Sequence, residues 1–212
     1  MNLVNQLNEK KGDEQWAVIE KNFNVDEVIN YFAVNMCLSH WDGFFNNYFA
    51  YHDKGGTGKW EMYPWDQDKT WGFYDTIKPG EVFFNMPLTF GMEGDLPPGG
   101  GPARFNPRSW WRPGGFFSKP LLANPEFRKR FVRRTTEILE KNFTSAEMFP
   151  VIDAMSEKLR QEAAIRAKAL NQDPSEILKR FDANIASLKE NLTKRREFLL
   201  DQSEIKAVRK RD

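Results

Sequence analysis

From Asn24 onward apolar residues recur with a helical rhythm. Val28, Ile29, Phe32 and Met36 lead towards His40 at the spacing that keeps side chains on one face of a 3.6-residue turn. Asn24 takes the capping position, and Glu27 three residues later completes the pattern of a capping box. The rhythm breaks at Trp41-Asp42-Gly43-Phe44-Phe45-Asn46-Asn47, where glycine and asparagine oppose a helix. Aromatic runs at 48–51 and 60–63 enclose Asp53-Lys54-Gly55-Gly56-Thr57-Gly58-Lys59. They predict strand, turn and strand, because aromatics suit a pleated surface and glycine suits a turn. Helical spacing then returns. Asn124-Pro125 opens a helix carrying Phe127, Phe131, Ile138 and Leu139, with asparagine as cap and proline in the first turn. A second helix begins near Thr144 or Pro150 and runs to about Leu170. A third opens at Asp173-Pro174, with Ile177, Phe181, Ile185, Leu188 and Leu192 on one face.

Between hairpin and helices, residues 76–120 hold 8 of the 12 Pro and 8 of the 14 Gly. A loop this long is uncommon in a compact domain. Trp110, Trp111, Phe116 and Phe117 within it favour a loop packed on the body, since disordered segments are poor in aromatics. Left exposed, the same four would anchor a partner. The pattern predicts an α+β domain over 24–201, with a core at 24–75, a packed loop at 76–120 and helices at 121–201. Residues 1–23 read as a polar lead-in holding at most a short helix, and 202–212 as a frayed basic tail.

Composition narrows the function. The 212 residues carry 31 Lys+Arg against 30 Asp+Glu, a formal net charge of +1, without the basic excess of a nucleic-acid binder. Mean hydropathy is −0.66, and no apolar run nears the ~18 residues of a membrane span. The N-terminal residues lack the apolar stretch of a signal peptide. The single Cys37 makes no internal disulfide and reads as a small core residue. Aromatics reach 14%, and six of the seven Trp lie between Trp41 and Trp111.

The residues able to do chemistry cluster at 40–72. Asp42 and Asn47 match the D-x4-N of a kinase catalytic loop. There the Asp accepts the proton of the attacking hydroxyl, and the Asn reaches a metal on the nucleotide phosphates. A second cluster, Tyr63-Pro64-Trp65-Asp66-Gln67-Asp68-Lys69-Thr70-Trp71-Gly72, ends a strand in two carboxylates. Mg²⁺ takes one or two carboxylates together with substrate phosphates, and a strand-end Asp is how the kinase D-F-G motif delivers its ligand. The order helix, D-x4-N loop, hairpin, strand-end Asp is that of a protein-kinase C-lobe. Asp66-Gln67-Asp68-Lys69-Thr70 also matches the D-x-D-x-T of haloacid-dehalogenase-like phosphatases, where the first Asp is the nucleophile. The strand series and further acidic pair that such a phosphohydrolase needs do not follow it. His52 reads as a hairpin residue, because two His and one Cys give no zinc spacing. Gly55-Gly56-Thr57-Gly58-Lys59 fails the G-x4-G-K-[ST] phosphate loop and reads as a turn.

HWDGFFNNYFAYHD followed by GKWEMYPWDQDKTWGFYD closely resembles the CotH family, the spore-coat protein H type of atypical kinase. Its hallmark is an Asp ahead of an Asn-Asn or Asn-Tyr strand, then a hairpin ending in P-W-D-x-D-x-T-W-G. The likeness continues more loosely through the Pro/Gly loop, NPEFRKRFVRR and a helix ending in RREFLL. The resemblance implies a divergent protein-kinase-like fold that uses ATP and Mg²⁺ or Mn²⁺ to phosphorylate proteins, spore-coat proteins among them. It implies Asp42 as the catalytic-loop Asp and Asn47 at the metal-binding Asn. It implies Asp66 or Asp68 in the D-F-G role, with Asp66 preferred as the first acid after the strand and Asp68 as a second metal or water ligand. His40 stands at the structural His, and Trp65 and Trp71 flank the acids, where packing that fixes them is favoured over stacking on adenine.

A kinase-like enzyme closes on ATP with an N-terminal lobe. The roughly 24 residues ahead of the first C-lobe helix are too few for one and hold no Gly-rich strand–turn–strand or Lys–Glu pair. The expectation is therefore the C-terminal portion of a longer protein, with that lobe as a missing partner and little activity alone. The compartment stays open, with spore coat, secretion or cell surface following if the parent protein has a signal peptide. A non-catalytic coat or surface interaction protein of the same fold is the alternative.

Overall fold

The computed structural model describes residues 2–73, 84–92 and 115–210. Its centre is helix α3 (Val25–Cys37), preceded by α1 (Leu3–Glu9) and α2 (Gly12–Asn22). A 3-10 turn (Asp42–Phe44) leads into the antiparallel strands β1 (Tyr48–His52) and β2 (Trp60–Pro64). The helical half consists of α4 (Ser118–Ala123), α5 (Pro125–Lys141), α6 (Ser145–Ala169), α7 (Pro174–Leu200) and α8 (Ser203–Arg209). The molecule is thus mostly helical with one small sheet among the described residues, consistent with α+β.

The local signals explain why these helices start where they do. Asn124 accepts the N–H groups of Glu126 and Phe127, Thr144 that of Glu147, and Asp173 that of Ser175, each satisfying a donor left orphaned by the first turn. The predicted face of α3 is buried: Val28, Ile29, Phe32 and Met36 meet Phe127, Phe131 and Leu139 of α5 in the main core. Phe32 stands 6.3 Å from Phe127 and 5.5 Å from Phe44, which in turn lies edge-on to Phe90 at 5.4 Å. Cys37 is buried among them.

Three expectations change, and a fourth, the packed loop, holds in part among the described residues. Asn24 does cap α3, but its side chain accepts no helix N–H and its amide donates to Glu61 Oε1 at 2.8 Å. Glu27 Oε2 accepts the Met62 N–H at 2.9 Å. A two-stranded sheet leaves β2 a free edge, and the start of α3 satisfies it. Residues 1–23 hold two helices, with Leu7, Val18 and Ile19 buried. Asn124 donates to Gly12 O and Gln15 Oε1, fastening this segment to α5. The tail is a docked helix, because Ile205 is fully buried and Arg128 and Glu204 pair beside it. Within 76–120, Met86, Leu88 and Phe90 are buried and Phe117 meets Phe23, whereas Phe116 is exposed. Trp110 and Trp111 lie outside the described residues.

A buried cation ties these parts together. Arg195 of α7 has no exposed surface. Its guanidinium donates to Met36 O at 2.6 and 3.1 Å, Phe84 O at 2.8 Å and Met86 O at 2.5 Å. Met36 is in the last turn of α3, where unpaired carbonyls carry partial negative charge that favours a cation. Burial pushes the Arg195 pKa down to about 9, so it stays charged at pH 7.

Candidate functional site

Asp42 opens the 3-10 turn after α3 and is half-buried. Two amides hold its carboxylate: Asn46 Nδ2 donates to Oδ1 at 3.1 Å and Asn47 Nδ2 to Oδ2 at 2.8 Å. The turn is fixed from below by Tyr31, whose hydroxyl donates to Gly43 O at 2.7 Å. Gly43 has no room for a side chain, since a Cβ there would lie 2.5 Å from His40 Nδ1.

The second acidic cluster is laced to this turn by backbone and side chain. Trp65 N–H donates to Asn47 O at 3.1 Å, and Trp71 N–H to Leu38 O at 2.8 Å. Gln67 Nε2 lies 3.1 Å from His40 Nδ1, with Asn35 Oδ1 on the same nitrogen at 3.2 Å. Thr70 Oγ1 donates to Gln67 O at 2.7 Å and closes the loop on itself. Two non-glycine residues here adopt left-handed backbone, Asp66 with φ of 52° and Trp71 with φ of 58°. Such strain survives only where surrounding contacts over-determine the conformation. The Trp71 ring stacks on Phe143 at 5.8 Å.

The electrostatics follow from this placement. Burial raises the pKa of Asp42; the Asn46 hydrogen bond opposes the shift, the charges of Asp66 and Asp68 add to it, and Lys69 offsets it. Asp66 and Asp68 are themselves exposed. His40 is completely buried, and burial pushes its pKa down to about 4 against the opposing pull of the Asp66 backbone and the Asp68 charge. It is neutral at pH 7 and buttresses the turn.

Among the described residues no three Asp, Glu, His or Cys side chains converge as a ready-made metal cage. Asp42, Asn47, Asp66 and Asp68 still suit a hard cation, because every donor is oxygen and Mg²⁺ completes its shell with water and phosphate. Asn47 has committed its amide nitrogen to Asp42, so only its Oδ1 is left as a ligand. Trp65 is exposed and meets Phe49 edge-on at 5.2 Å. His52 stacks on Trp60 at 4.7 Å in the hairpin.

Asn46, Gly43, Tyr31, Gln67 and Lys69 were not singled out by the sequence. The doubled Asn-Asn and the glycine after Asp42 were the available signals for two of them. Tyr31 and Gln67 carry none, because their partners come from 12 and 27 residues away.

The model of the family described as CotH kinase protein matches residues 1–199. The chain belongs to the CotH family. Inner spore coat protein H of Bacillus subtilis (strain 168) is 29% identical to this CotH-family chain over 189 residues, which are 88% of the chain and 43% of the relative. The chain thus spans less than half the length of that relative. The match begins at the first residue and so takes in the two N-terminal helices. The strand series that a D-x-D-x-T phosphohydrolase needs is not present among the described residues, where the sheet has two strands.

Proposed function

We propose that this chain is the catalytic half of a CotH-type protein kinase, transferring the γ-phosphate of ATP to a Ser or Thr hydroxyl of a protein. The observation that carries the proposal is the lacing of the 38–47 turn to the 65–71 loop, with Asp66 and Asp68 close enough to act on the Asp42 carboxyl. In this reading Asp42, held by Asn46 and Asn47, orients the substrate hydroxyl and takes its proton as the oxygen attacks the γ-phosphorus and ADP leaves. A raised pKa suits a group that must accept a proton. Asp66, Asp68 and Asn47 Oδ1 are the groups that would hold Mg²⁺ or Mn²⁺. When bound, such an ion neutralises charge on the transferring phosphate.

The left-handed backbone of Asp66 favours it over Asp68 for the D-F-G role, because strain is held where a side chain must be aimed. Trp65 and Phe49 offer an apolar platform for adenine beside these acids. Residues outside this chain, in a protein the length of the relative, would cover the nucleotide from the other side, and the chain alone would have little activity.

The test is ATP-dependent phosphate incorporation into a protein substrate by the full-length protein. Asp42→Asn is expected to abolish it, and incorporation that survives this change overturns the assignment. A second reading rests on the outward face of the hairpin, where Phe49, Tyr51, Tyr63 and Trp65 are all exposed. That face suits a non-catalytic interaction protein of the spore coat, the location named for the relative. Absence of nucleotide binding by the full-length protein, with partner binding lost on Trp65→Ser, would favour this second reading.

A further inference from the structure

Helices α6 and α7 form a long antiparallel pair that meets the rest of the molecule mainly through the C-terminal half of α7. Their shared seam uses the inner side of α6. Ile152 and Ala167 are buried there, Asp153 pairs with Lys189 at 2.5 Å, and Arg160 pairs with Asp182. The outer side of α6 carries a second seam. Val151, Met155, Lys158, Glu162, Ile165 and Ala169 follow at alternating steps of four and three, the spacing of a heptad seam that faces a partner helix. All six are exposed. Val151, Met155 and Ile165 stand at 52%, 59% and 60%, values far from those of a helix whose apolar stripe has found its core.

The order of residue types along this seam selects the occupant. It reads apolar, apolar, basic, acidic, apolar, small apolar, so it complements itself when reversed. Two copies of α6 laid antiparallel about a two-fold axis near Arg160 bring Met155 against Ile165 of the second copy, and Val151 against Ala169. The same register sets Lys158 against Glu162 twice across the axis. A parallel pairing would instead oppose Lys158 to Lys158 and Glu162 to Glu162, which disfavours it. We infer that the outer face of α6 is a homodimer interface, in which two α6 helices pair antiparallel with Lys158–Glu162 pairs at the centre and each α7 on the far side.

The size suits weak, reversible association. A 25-residue helix is about 37 Å long and about 10 Å wide, a face of roughly 370 Å² against the roughly 800 Å² per partner of a standard complex. Two charged positions in the seam lower affinity while fixing register, so a micromolar dimer is expected. The inference is independent of the kinase reading, since no residue of the acidic site takes part.

Sedimentation equilibrium of the full 212-residue chain from about 1 to 200 µM tests it. The unaltered chain should pass from monomer to dimer across that range. Met155→Glu and Ile165→Glu, both at exposed positions, should leave helicity unchanged and keep the chain monomeric. Lys158→Glu and Glu162→Lys should each weaken the dimer by roughly tenfold or more, and the double exchange should restore it to within about threefold of the parent. A chain monomeric at 200 µM, a dimer indifferent to Met155→Glu, or a double exchange no better than either single change would overturn the inference.

Discussion

Asn47 donates its side-chain amide to Oδ2 of Asp42 at 2.8 Å while its carbonyl receives the Trp65 N–H at 3.1 Å. One residue therefore steadies the carboxylate and joins the turn that bears it to the loop that bears Asp66 and Asp68. Local spacing proposes Asp42 and Asn47 as a pair, and this double attachment is what joins the pair to the second acidic loop.

The raised pKa of Asp42 has a signed consequence. An acid whose folded pKa lies above its unfolded value keeps its proton longer when folded, so its contribution to stability falls as pH rises through that window. Asp42→Asn removes this term. The difference in melting temperature, variant minus parent, should therefore become more positive between pH 3 and pH 7. A difference that is flat or moves the other way would show that burial does not disfavour the ionised carboxylate.

Asn46→Ala removes the hydrogen bond that opposes the shift. Loss of a donor to the charged form raises the pKa further. Carboxyl ¹³C chemical shifts followed against pH should place the Asp42 titration of this variant above that of the parent.

His40 acts in the opposite sense. Burial holds its imidazole at about 4 against the ordinary 6.5, so the unfolded chain binds the extra proton and stability is lost as pH falls through that interval. The loss should reach about 3 kcal/mol by pH 4. Urea unfolding at pH 7 and pH 4 measures it, and His40→Gln should flatten that slope.

Gly43 is closed to any side chain by the same imidazole. Gly43→Ala should cost about 1–3 kcal/mol, the range for overpacking a filled core. A Cβ at Gly55 meets nothing within 4 Å, and Gly55→Ala should stay within about 0.5 kcal/mol. Denaturant midpoints of the two variants give the comparison directly.

Arg195→Met should destabilise by about 3 kcal/mol or more, because it removes the guanidinium's N–H donations to the carbonyls of Met36, Phe84 and Met86. Arg195→Lys should not rescue it, since one ammonium cannot replace a planar fork with five N–H donors. Limited proteolysis should cut first within 84–92 in both variants while sparing the parent there.

The contrast between these residues marks what each level of organisation contributed. The sequence by itself determined the helix starts at Asn124 and Asp173, the buried face of α3, the hairpin and the grouping of acids after β2. Caps, periodicity and turn residues act between neighbours a few positions apart, so they are written locally. Only the tertiary structure decided that Asn24 and Glu27 would serve the edge of β2, that Ile205 would dock the C-terminal residues, and that Arg195 would reach a carbonyl 159 residues away. It likewise decided which polar group meets His40, and the backbone conformation in which Asp66 is held. A buried polar side chain must find a partner within about 3 Å. Which chain segment supplies that partner is settled by how the elements pack, and no spacing in the sequence encodes it.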